Sequence, residues 1–144
     1  GHHVHPATMS TAMQAKRGLP FFLVSDAMPT AGSIQNSFLL NGREVTRVDD
    51  RLTLEDGTLA GSDIVLIDAV RFMADTVGVA LEEALRMASH YPAMALGVTA
   101  DYGRLVPGRR ADIVHLTEDL SVEGVWVGGK PLDIKAKSRQ RMPA

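Results

Sequence analysis

The chain has 144 residues, 45% of them hydrophobic and 22% charged, with 15 Lys and Arg against 17 Asp and Glu for a formal charge of −2. These are the proportions of one ordinary globular domain: the balanced charge speaks against a nucleic-acid binder, and no apolar run approaches the roughly 20 residues of a membrane helix. The absence of Cys excludes a disulfide framework, a thiolate metal site and a Cys nucleophile, in keeping with a reducing cytoplasm.

The chain opens Gly1-His2-His3-Val4-His5-Pro6, with neither an initiator Met nor a signal-peptide pattern. Val4 and Pro6 interrupt any affinity-tag run, and Gly1 reads as an internal residue of a longer protein. Residues 9–17 have helical composition and stop at Gly18. Leu19-Pro20-Phe21-Phe22-Leu23-Val24 is a short apolar run, which predicts a strand buried on both faces, ending at Ser25-Asp26-Ala27-Met28-Pro29. Phe38-Leu39-Leu40, Asn41-Gly42 and Glu44-Val45-Thr46 predict a hairpin, and Asp56-Gly57 marks a second turn.

A helix is predicted over residues 63–77, with Ser62 as N-cap, a stripe of Ile64, Ile67, Val70, Met73, Ala74 and Val77, and Gly78 as its stop. Further helices are expected over 81–89 and 92–96, the last closed by Gly97. From Gly103 the period changes to two. Strands are predicted at 112–116 and 122–127, with Gly128-Gly129 turning the chain so that 131–134 pairs back. Residues 135–144 form a polar, basic tail. The order is α/β, with residues 1–97 as the end of an α/β layer and 98–144 as a small β unit with its tail.

Few residues are placed for chemistry. His3 and His5 would share a face in an extended segment, an arrangement used for metal or substrate, or else they belong to a solvated terminus. Asp26 follows an apolar strand, where a carboxylate can bind metal, act as general base, or do both; the alternative is a turn or capping Asp. Residues 57–62 offer backbone N–H groups to an anion or a sugar hydroxyl, although a plain turn before a capped helix has the same pattern. His90 at a helix end, His115 on a strand and Trp126 read as structural.

Taken in order, these segments resemble the C-terminal part of the N-acetylglucosamine-6-phosphate deacetylase family of amidohydrolases. The resemblance rests on Gly1-His2-His3-Val4-His5-Pro6, Leu23-Val24-Ser25-Asp26-Ala27-Met28, and Asp56-Gly57-Thr58-Leu59-Ala60-Gly61-Ser62. It continues through Glu83-Ala84-Leu85-Arg86-Met87-Ala88-Ser89 with Pro92-Ala93, and Gly103-Arg104-Leu105-Val106-Pro107-Gly108 with Ala111-Asp112. It implies the C-terminal part of a metal-dependent (β/α)8 barrel (residues 1–97), followed by strands of a small β-sandwich (98–144). A whole barrel takes about 250 residues, more than this chain holds.

By position, the resemblance makes Asp26 the catalytic aspartate and His3 the histidine that contacts the sugar, with Gly1 and His2 in the same binding segment. Leu59, Ala60 and Gly61 match the loop over the substrate; His5 receives no role. The family's metal ligands, a glutamate and two histidines for a divalent zinc or iron, lie upstream of the matched segment, so none is expected to be held by this fragment alone. The implied parent is a cytoplasmic homodimer acting on a phosphorylated amino sugar, with no nucleic-acid or membrane partner, and the fragment alone is expected to be inactive. The competing readings are another amidohydrolase acting on a cyclic amide, and a non-catalytic ligand- or partner-binding module.

Overall fold

The computed structural model describes residues 3–16 and 18–134, so Gly1, His2, Arg17 and the basic tail from Lys135 lie outside the described residues. Helix α1 (Pro6–Ala15) begins earlier than its composition indicated. Pro6 supplies a helix-ready φ at the first turn, and the His5 Nδ1 accepts the Ala7 N–H at 3.2 Å as the cap. His3 and His5 therefore do not lie along one extended segment.

The apolar run 19–24 pairs with no strand, contrary to expectation. Its burial alternates instead: Phe21 and Leu23 pack against the helical core, while Phe22 and Val24 are 47% and 72% exposed. Apolar composition identified the segment, but a strand exists only through its partners, and the described residues supply none alongside it. The Leu19 N–H donates to the Lys16 carbonyl at 3.0 Å, and the Leu23 N–H to the Met87 carbonyl at 2.9 Å anchors the run to the helical core.

The hairpin forms as expected, between β1 (Ser37–Leu40) and β2 (Arg43–Val48), with Phe38 opposite Val45. Asn41 and Gly42 both take positive φ (51° and 80°), the twist that suits a two-residue hairpin. A third strand, β3 (Arg51–Leu54), returns antiparallel on β2 through Asp49 and Asp50, whose φ values of 48° and 58° repeat that turn without a glycine. Val45 and Leu52 are fully buried and form a small core with Ala60, against which Met28, Phe38, Leu40 and Leu54 pack. Each such aliphatic side chain contributes about 1.5–3 kcal/mol, so a core this small depends on every member.

Helix α2 (Leu66–Phe72) starts after Val65, not at Ser62. The Ser62 hydroxyl accepts the Ile64 N–H at 3.2 Å in a local turn, and the buried Asp63 is drawn to Arg47, so this stretch is committed before the helix begins. The helix widens into a π-helical turn (Met73–Val77) and ends at Gly78 with φ 80°, the stop read from sequence. Helices α3 (Leu81–Ala88) and α4 (His90–Ala95) follow. Val70, Met73, Ala84 and Met87 form the helical core, with Met9 and Met13 of α1 packed on it. His90 opens α4 rather than ending a helix, and its Nδ1 is buried without a hydrogen-bond partner.

The last sheet is also antiparallel, in the order β4 (Ile113–Leu116), β5 (Val122–Val127), β6 (Lys130–Pro131). Gly128 and Gly129 make the β5–β6 turn, and a register shift between His115 and Leu116 bends β4 on β5. Trp126 is half-buried and lies over Gly124, where an added Cβ would meet its ring at 2.6 Å. Arg71 Nη2 donates to the Leu120 carbonyl at 2.6 Å, tying α2 to the β4–β5 connection. Helices and strands thus make an α/β fold with two small antiparallel sheets; no described helix is long and apolar enough to cross a membrane.

Two close contacts generate tests of stability. Gly61 has φ 79°, and a Cβ there would lie 2.3 Å from Met28 Cε and 2.6 Å from Met28 Cγ. Gly61→Ala is expected to cost about 1–3 kcal/mol from left-handed strain before the contact is counted, read as a lowered urea midpoint. Asp112 accepts the Gly128 N–H at 2.6 Å and pairs with Arg110 at 2.7 Å, and these hold its carboxyl below the usual value of 3.8. That stabilisation is complete above the unfolded pKa of about 3.9 and is lost as pH falls through the lower folded value. The urea-midpoint gap between the unaltered chain and Asp112→Asn is expected to stay constant near neutrality and to narrow on acidification below that point.

Candidate active site

Two segments singled out in the sequence meet in space. Ala27 and Ser62 form an isolated parallel bridge: the Met28 N–H donates to the Ser62 carbonyl at 2.9 Å, and the Ser62 N–H to the Asp26 carbonyl at 3.1 Å. Asp26 is exposed and takes φ 48°, a left-handed conformation that Asp adopts more readily than most residues. Its backbone is therefore fixed at the junction while its carboxylate stays open to solvent.

The loop that follows β3 is shaped by its own polar groups. Asp56 Oδ1 accepts the Thr58 N–H at 2.9 Å, and Asp56 Oδ2 pairs with Arg43 at 2.9 Å. The Thr58 hydrogen bonds, then Arg43, hold the Asp56 carboxyl below its ordinary range. The chain next runs along β3, with the Leu54 N–H to the Thr58 carbonyl at 2.9 Å and the Ala60 N–H to the Leu52 carbonyl at 2.8 Å. The N–H groups of residues 57, 58, 60 and 62 are thus used within the fold. Among the described residues, those of Leu59 and Gly61 have no protein partner. The general offer of amides expected from residues 57–62 narrows to these two. Leu59 is partly exposed, Ala60 is buried, and Gly61 lies against Met28.

The structure thus brings Asp26 together with residues 59–61. It does not bring His3 to them through any hydrogen bond or ion pair among the described residues: His3 stands exposed just before α1. Gly1 and His2 lie outside the described residues. His115 faces solvent 3.2 Å from Glu123. No three His, Asp or Glu side chains cluster closely enough among the described residues to hold a metal ion. The described residues do not by themselves make up the metal centre that the resemblance implies.

Sequence reasoning missed the pair that braces this junction. The apolar stripe places Asp63 in the first turn of a helix, and nothing in the sequence sets Arg47 apart. The two form a near-buried, two-pronged ion pair, Nε to Oδ2 at 2.6 Å and Nη2 to Oδ1 at 2.9 Å, with side chains 11% and 3% exposed. Alternation along β2 gives no sign of it, because the partner comes from a segment 16 residues away.

Comparison with known proteins places these features. Residues 2–132 match the Amidohydrolase family. The chain is 40% identical over 130 residues to N-acetylgalactosamine-6-phosphate deacetylase from Escherichia coli O157:H7, covering 90% of this chain and 34% of that protein. It is 34% identical over 130 residues to N-acetylglucosamine-6-phosphate deacetylase from Vibrio furnissii, covering 90% of this chain and 32% of that one. The crystal structure of N-acetylglucosamine-6-phosphate deacetylase from Pasteurella multocida superposes with a TM-score of 0.85 at 33% identity, over 90% of this chain and 34% of that one. The chain therefore spans about a third of the length of these three relatives. With the match running through nearly all of the described fold, this chain belongs to the amidohydrolase family.

Proposed function

We propose that the chain is the C-terminal part of a metal-dependent N-acetylglucosamine-6-phosphate deacetylase, which converts its substrate and water to glucosamine 6-phosphate and acetate in cytoplasmic amino-sugar catabolism. The observation that carries this reading is the Ala27–Ser62 bridge, which joins the Asp26 segment to the 59–61 loop. In the proposed reaction, water adds to the N-acetyl carbonyl carbon and Asp26 takes a proton from that water. The C–N bond then breaks, and the proton passes to the departing sugar amine. An exposed carboxylate on a fixed backbone suits such a shuttle. The Leu59 and Gly61 amides are donors to the substrate, Ala60 holds the loop down on β3, and His3, with Gly1 and His2, contributes to the sugar site.

On this reading residues 1–97 close the barrel of a longer chain and 98–144 belong to its small sandwich. The exposed Phe22 and Val24 side chains then face the barrel interior, opposite Phe21 and Leu23 on the helices, and the backbone edges of this run pair with the neighbouring strands. The divalent metal, zinc or iron, is held by ligands outside these 144 residues, and the parent is a homodimer. These 144 residues alone do not turn over substrate. The relatives described above are sugar-phosphate deacetylases, which favours neither the cyclic-amide nor the non-catalytic reading. The E. coli O157:H7 relative, at 40% identity, favours a second reading in which the sugar is the galactosamine epimer.

The test is acetate release by the complete protein from both 6-phosphates, with and without Asp26→Asn. The variant is expected to bind substrate and to lose about 10²–10⁴-fold in turnover. Turnover within a few-fold of the unaltered enzyme would show that Asp26 does not carry the proton. The sugar with the higher kcat/KM decides between the epimers.

A further inference from the structure

The proposed chemistry needs the Asp26 carboxylate held at a defined place, yet no side-chain hydrogen bond or ion pair among the described residues holds it. What fixes its backbone is a closed circuit. From Asp26 the chain runs to Thr30, whose carbonyl accepts from Arg47 Nη2. Arg47 spans to Asp63 through both prongs of the ion pair, at 2.6 and 2.9 Å. From Asp63 the chain steps back to Ser62, whose N–H returns to the Asp26 carbonyl at 3.1 Å.

Two further bonds stiffen the circuit: Arg47 Nη2 to the Ser33 carbonyl at 3.2 Å, and Arg47 Nη1 to Asn36 Oδ1 at 3.1 Å. Arg47 sits on β2, two residues beyond the fully buried Val45, so its own position is set by the hairpin core. Thr30, fully buried itself, gives the clamp a fixed far jaw.

We infer that Arg47, acting with Asp63, is a positioning residue for Asp26: it clamps the segment after Asp26 to the segment after the 59–61 loop, and so sets the carboxylate and the loop amides at one spacing. This rests on the deacetylase reading. The side chain suits the task because a guanidinium donates in several fixed, coplanar directions, while a lysine ammonium keeps the charge without the fork.

The experiment is a double-mutant cycle in the complete, metal-loaded protein, with the unaltered enzyme, Arg47→Lys, Asp26→Asn and the pair. Acetate release from N-acetylglucosamine 6-phosphate is measured well below the lowest unfolding midpoint. Arg47→Lys is expected to lower kcat about 10- to 100-fold, as misplacement of a reacting group does, with KM changed by no more than about 2-fold. In the Asp26→Asn background the same change is expected to add less than about 2-fold, because Arg47 acts through Asp26.

An equal loss in both backgrounds would mean that Arg47 merely maintains the folded fraction, and would overturn the inference. So would an unchanged kcat in Arg47→Lys when Asp26→Asn is inactive, which sinks the positioning role alone. Full turnover by Asp26→Asn would sink the deacetylase proton role, and this inference with it. If Arg47→Lys fails to fold, Asp63→Asn takes its place in the cycle. Hydrogen exchange on the unaltered protein needs no variant: the Met28 and Ser62 amides are expected to exchange as slowly as that of Ala60, and rapid exchange at these two alone would overturn the clamp.

Discussion

The fold around the candidate site depends on one ion pair drawn out of water. Arg47 and Asp63 are charges on two different segments, and neither tolerates burial without the other. Removing one partner of such a pair costs about 3–5 kcal/mol, because the charge left behind has no compensation. That cost makes the arrangement all-or-none: the hairpin, the 30–36 turn and the approach to α2 hold together or come apart together. A Leu–Leu contact in the same place would bind the segments without fixing their spacing. Directional donors to the Thr30 and Ser33 carbonyls and to Asp63 Oδ1, with Nε in ionic contact with Oδ2, specify it.

Much of the chain's organisation was legible in the residues. Asn41-Gly42 and Gly128-Gly129 announced their turns because positive φ leaves few residues to choose from. Gly78 marked the end of its helix for the same reason. Strand β3 was missed because Asp49 and Asp50 make that kind of turn without a glycine. The start of α2 was misplaced because Ser62 looks like an N-cap until its backbone is seen to be engaged with residues 26–28. The run 19–24 showed its apolar character but not its pairing, since pairing is a property of two segments.

The site divides along the same line. Asp26 and residues 59–61 stand out in the sequence as candidates because they lie in particular local motifs. That they adjoin could not, because the bridge between them consists of backbone groups any residue carries. The brace is subtler still. An Arg on a short strand normally points to water, and only the tertiary structure turns this one inward. His5 shows the converse, a residue with metal-ligand chemistry that the fold uses as a helix cap.

The left-handed bend at Gly61 decides which neighbours the loop can join. As far as Ala60 the chain lies along β3, with the Ala60 N–H on the Leu52 carbonyl, whereas the Ser62 N–H turns to the Asp26 carbonyl. In an unbroken extended segment the amides of residues 60 and 62 would point the same way. The φ of 79° at Gly61 lets them part, so one short loop is stitched to the hairpin on one side and to the Asp26 segment on the other. A side chain at this position would strain the backbone and meet Met28, so glycine is the residue that lets the two segments share one loop.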